Sequence, residues 1–254
     1  MPTLIAVGLS VFDHVLRFLS IALETAAIVR IVQQRLFTTP LISLACMLGV
    51  VLARDIVVSV PNYDTRAYTV AWEWTLFPLL AAQVWAGLDN LRAVARLYPR
   101  VGGFAVRLYL SCLAISVAAC SLTLPFELRD IGGGATFLRS LFLLQRCIDS
   151  WIAGTLLLVS VYLVRFPAPS RKPPRNLVLN TVLLTIYFGG YAVLFMLENL
   201  TALGGAAIAE QAQFFLVILV YAAWAAGLSK KGERSEPWPR IDVVLVRGVG
   251  AGGK

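Results

Sequence analysis

An apolar run near the N-terminus, Leu9 to Glu24, carries four ionisable side chains: Asp13, His14, Arg17 and Glu24. At helical spacing Ser10, Asp13, Arg17, Ser20 and Glu24 fall on one stripe, with His14 beside it. Other apolar segments hold more charge: Arg54-Asp55, Glu73 between Trp72 and Trp74, Arg139, and the pair Arg146 and Asp149. An Asp or Arg at the middle of a bilayer costs about 2.5–3.5 kcal/mol. Faces of this kind must therefore meet protein or water, and the spacing predicts that the charges converge inside a helix bundle. Arginine presents a planar fork of donors that suits a carboxylate or phosphate. Arg17, Arg54 and Arg146, balanced by Asp13, Asp55 and Asp149, would hold a small anionic or amphipathic ligand. Glu73 would be a proton acceptor, and His14, Trp72, Trp74 and Trp85 would line the pocket.

The same residues have a plainer use. Asp13 with Arg17 and Arg146 with Asp149 sit at i,i+4 and i,i+3, close enough to pair within their own helices. The whole set could serve as salt bridges that tie helices together. Trp72 and Trp74 would then anchor a helix at the lipid interface, and His14 would be a hydrogen-bonded packing residue. Glu24 and Asp89 are expected near helix ends, snorkelling or capping.

Several chemistries lack their residues. One histidine rules out bis-histidine haem and a three-histidine zinc site. Lys172, Lys230, Lys231 and Lys254 all lie outside the apolar segments, so none can carry retinal as a Schiff base. No Gly-x-Ser-x-Gly, His-Glu-x-x-His or phosphate-binding glycine loop occurs, and Gly132 to Gly134 are expected in a flexible connection. The four cysteines, Cys46, Cys112, Cys120 and Cys147, fall within apolar runs and contain no CxxC, as buried hydrophobes do. The expectation is a protein that is not an enzyme and binds no metal or cofactor.

The elements that must position these groups follow from composition. Apolar residues make up 59% of the 254 and charged residues 14%, against about 25% charged in a soluble domain; mean hydropathy is +0.78. An all-α membrane protein is expected, with seven segments long enough to span: about 5–28, 40–60, 68–88, 104–124, 137–164, 177–198 and 208–228. The first has no basic stretch ahead of it, so a cleaved signal peptide is not expected. Breaks carry Pro and Gly, as at Thr38 to Pro40, Pro61 to Asp64, Tyr98 to Gly103 and Arg165 to Arg175. Of 22 Lys and Arg, 16 fall in alternate connections and the C-terminal tail, whereas the other connections hold Arg66, Arg129 and Arg139. Positive charge stays cytoplasmic, which places the N-terminus outside and the C-terminus inside. Residues 1–228 form one seven-helix domain, and 229–254 a mobile basic tail. Pro78 should kink the third span, and Gly189-Gly190 should let the sixth pack closely. No internal repeat is evident. The net charge of +8 lies between apolar segments, where it meets lipid head groups rather than nucleic acid.

Four local patterns resemble uncharacterised seven-span proteins common in acidobacterial genomes. They are Leu36-Phe-Thr-Thr-Pro40, Tyr68-Thr-Val-Ala-Trp72, Leu138-Arg-Ser-Leu-Phe-Leu-Leu-Gln145 and Pro174-Arg-Asn176. Leu138 stands where an acidic residue is expected before Arg139-Ser140. The resemblance implies a bacterial, multi-pass inner-membrane protein and no particular activity. The function expected first is receptor-like or sensory, with a small ligand in an outward-facing charged cavity and output through a cytoplasmic or membrane partner. A structural subunit of a larger membrane complex, or a proton-coupled carrier using Asp13, Glu73 and Arg146, are the alternatives.

Overall fold

A computed structural model describes residues 2–59, 66–130, 134–165, 172–200 and 206–234. Its side chains are described for 15–58, 70–98, 101–118, 143–163, 165, 172–197 and 211–234. The described chain is all helical: α1 Pro2–Gln33, α2 Thr39–Ser59, α3 Arg66–Leu97, α4 Pro99–Asp130, α5 Gly134–Arg165, α6 Arg175–Leu200 and α7 Ala206–Gly227, then a 3-10 turn, Lys230–Glu233. Each expected apolar segment falls within one helix, and most helices overrun the expected bounds. Among the described residues Thr39–Val58, Val101–Ala118, Leu143–Leu163 and Arg175–Leu197 are long and apolar enough to cross a membrane. They mark the chain as a helical membrane protein. The surface agrees: Phe18, Phe77, Ile115, Leu157, Val193 and Leu219 point outward. Ser20, Gln83, Asn90, Gln145 and Asn180 are buried inside, the distribution that lipid favours.

Consecutive helices pack side by side, and α1 closes the ring against α7. α3 also reaches across to α5 and α6, while α4 packs on α3 and α5 at the periphery. The core between them holds Leu44, Met47, Leu76, Leu91, Ile152, Phe188 and Trp224. Gly190, one of the pair expected to allow close packing, receives the Leu216 side chain of α7.

Two connections show how local chemistry sets helix ends. α1 stops in a Schellman arrangement: Leu36 N–H donates to Ile31 O at 2.9 Å and Arg35 N–H to Val32 O at 3.0 Å. Arg35 adopts φ 52°, where glycine is usual. Between α3 and α4 the expected six-residue break shrinks to Tyr98 alone. Pro99 needs no N–H donor in a first helical turn, and Gly102 lies on the Ala95 backbone, where a Cβ would collide. Glycine here permits the close approach of two helices.

The ends of α1, α3, α5 and α7, with the starts of α2, α4 and α6, share one end of the bundle, rich in Arg and Lys. Polar bonds knit this basic end. Asn90 Nδ2 donates to Thr181 Oγ1 at 2.9 Å, and Asn180 Nδ2 to Asn90 Oδ1 at 3.1 Å. Asp89, expected to snorkel or cap, is buried and receives Arg92 at 3.3 Å. Ser229 to Arg234, expected as the start of a mobile tail, fold back onto α6. Asn176 Nδ2 donates to Ser229 O at 2.7 Å and to Glu233 Oε1 at 2.8 Å, and Arg30 Nε donates to Leu228 O at 2.9 Å. A carboxamide at the first turn of α6 thus supplies the partners the turn needs. Residues 235–254 lie outside the described residues.

Candidate functional site

The inward stripe of α1 reads Leu16, Ser20, Glu24, Ala27 and Ile31, all buried. It is the expected charged stripe shifted slightly, so Arg17 stands half-buried at its edge. Asp13 and His14 lie on the helical backbone of α1, and their side chains are outside the described residues. One turn apart on α5, Gln145 and Asp149 point inward, with Asp149 fully buried. α6 contributes Tyr187 and Tyr191 at i,i+4, and α7 contributes Gln213, Val217, Tyr221 and Trp224 on one face.

These faces enclose a polar cavity of about 190 Å³. Its walls are Ser20 of α1, Arg54 and Asp55 of α2, Gln83 of α3, Gln145 of α5, and the tyrosines of α6 and α7. Six helices meet here; α4 alone is left out. An aromatic cluster forms the wall toward α6 and α7. Tyr187 packs on Tyr191 with centroids 4.9 Å apart and on Tyr221 at 6.3 Å, and Tyr221 packs on Trp224 at 6.1 Å.

Arg54 is the hub of the charges. Its guanidinium lies over the Trp72 ring, 4.9 Å from the centroid. It neighbours both Asp55 and Asp149, and Arg17 is the second cation beside Asp55. Indole faces attract cations by about 0.5–2 kcal/mol, most when dry. Arg146 turns away from this hub, with its guanidinium over Phe195 at 5.0 Å from the centroid. Its neighbour Ser150 donates to its carbonyl at 2.7 Å, which is local helix bonding.

The arrangement brings Arg54 and Asp55 into the cavity wall and places Arg17, Asp149 and Trp72 directly behind them. Glu73 is half-buried and lies outside the wall. Trp74 is 74% exposed on the outer face, and Trp85 is also exposed, so neither lines the cavity. Spacing alone could not tell them apart, because Trp72 and Trp74 are both apolar and two residues apart on a helix. Pro78 is exposed too, with α3 continuous across it.

Glu24 departs furthest from expectation. It is not near a helix end but fully buried at mid-helix, beside the Tyr221 hydroxyl and the Asp55 carboxyl. The missed wall residues are Gln83, Gln145, Gln213, Tyr187, Tyr191 and Tyr221. Their i,i+4 pairings, Tyr187 with Tyr191 and Gln145 with Asp149, were the available signal. Uncharged polar groups in an apolar run draw less notice than charges.

Compared with protein families, curated proteins and solved structures, the chain matches none of them. The site must be read from its own chemistry.

Proposed function

We propose that all seven helices cross the inner membrane with the N-terminus outside and the basic end cytoplasmic, and that the protein is receptor-like or sensory. The observation that carries this is the cavity of about 190 Å³ walled by six helices. A ligand there touches nearly every element at once, so its occupancy biases how the helices sit. α6 and α7 run from the cavity to the Asn176 latch at the basic end, which supplies a route for output to a cytoplasmic partner. The test is native mass spectrometry of the protein in mild detergent. A bound small molecule that is lost in Arg54→Ala, with folding retained, is the expected result. A stoichiometric protein partner and no small molecule would favour a structural subunit instead.

A proton-coupled carrier is favoured by a separate feature, the two buried carboxyls Glu24 and Asp149 on either side of the cavity. Uptake into vesicles driven by a pH gradient and stopped by Asp149→Asn would establish it.

A further inference from the structure

Buried polar atoms without a hydrogen-bond partner among the described residues gather around the cavity, and most are acceptors. They are both oxygens of Glu24, both oxygens of Asp149 and Oε1 of Gln83. Glu24 and Asp149 are 0% exposed, and Gln83, which lines the cavity, is 2% exposed. Glu24 lies one turn below the wall residue Ser20, and Asp149 one turn from the wall residue Gln145. The indole Nε1 of Trp224, behind Tyr221, is an unpartnered donor in the same region.

A buried acceptor with no donor forfeits a hydrogen bond and bears its desolvation cost, about 1–3 kcal/mol and more when charged. The cavity's cations do not answer this need. Arg54 stacks on Trp72 beside Asp55, Arg17 sits at the edge of α1 beside Asp55, and Arg146 lies over Phe195. A group rich in N–H donors would supply it, and a primary ammonium has three donors and no acceptor. The Tyr187, Tyr191 and Tyr221 rings add faces that attract a cation and cover an apolar body.

We propose that the cavity takes a small organic cation, a primary ammonium compound whose N–H groups donate into this acceptor set and whose apolar part lies against the tyrosines. This rests on the cavity being a ligand site, and it reverses the anionic ligand expected from the arginines. Size limits the choice: about 190 Å³ is below the roughly 300–1,000 Å³ of pockets for drug-sized ligands.

The experiment measures thermal stability of the full chain in detergent against phenethylammonium chloride, sodium phenylacetate and 2-phenylethanol, with sodium chloride as the salt control. Saturable stabilisation by phenethylammonium alone is expected. Glu24→Gln and Asp149→Asn, each nearly isosteric, should melt like the parent without ligand and bind at least tenfold more weakly. Either variant suffices if the other fails to fold. Stabilisation by phenylacetate with phenethylammonium silent overturns the cation and keeps the ligand site. An equal shift with sodium chloride overturns the organic cation, and no saturable shift with any probe overturns both the cation and the ligand site.

Discussion

Arg54 shows how much one residue can be asked to do. Its charge lies between two acids, and its flat face lies on an indole. Replacing Trp72 by Leu should lower stability by about 0.5–2 kcal/mol, the worth of a partly dry cation–π pair, read as a fall in melting temperature. Trp74→Leu, on the outer face, should leave the melting temperature within the change set by about 0.5 kcal/mol. Two tryptophans of one motif would then separate cleanly. Asn90 poses the same question for a neutral group: fully buried, it bonds both Thr181 and Asn180. Asn90→Leu should cost about 1–3 kcal/mol by stranding two partners. A loss nearer 0.6 kcal/mol, the average for bonds between membrane helices, would mean that those partners repair themselves.

At the scale of elements, the short turns decide which helices are neighbours. Gly102 lets α4 leave α3 after a single non-helical residue by resting on the Ala95 backbone. Gly102→Val should destabilise by about 1–3 kcal/mol or more, because backbone atoms cannot move aside as side chains do. The check is loss of folded protein on heating or during extraction. At the other end of the chain, Asn176 alone holds the 3-10 turn through three bonds of its side chain. Asn176→Ala should speed amide exchange in residues 229–234 and leave α3 unchanged. Equal exchange in the variant would show that Arg30 and Leu228 suffice. Helix positions were legible from apolar runs of spanning length, and the α1 terminus from the Leu36-Phe-Thr-Thr-Pro40 break. The Tyr98 turn was misjudged in length, since Pro and Gly that usually signal a loop here serve a helix start and a close crossing.

For the whole molecule the decisive quantity is orientation. With Cys46, Cys112, Cys120 and Cys147 changed to Ala, a cysteine replacing Lys231 should react with a membrane-impermeant maleimide only after the membrane is opened. A tag on the N-terminus should be reached from outside. Labelling of Lys231→Cys in sealed cells would overturn both the orientation and the odd number of spans. The ring closed by α1 against α7, with α3 reaching α5 and α6, gives one polar centre, so a ligand bound there acts on the bundle as a unit.

Local properties of the chain dictate its helices. An apolar run of about 20 residues satisfies its own backbone bonds and resists any other fold in lipid, and the spacing of charge shows that some faces turn inward. Which faces meet is another matter. Lipid and protein interior are equally apolar, so Trp74 facing lipid and Trp224 in the core look alike in composition. Gln83, Tyr187 and Tyr221 are separated by long stretches of chain, and only the packing of six helices sets them around one cavity. The charges announced that a polar interior exists. Tertiary structure decided that Glu24 belongs to it, that Trp74 does not, and that its unpartnered groups are mainly acceptors, because each outcome depends on the neighbour a helix acquires rather than on the helix itself.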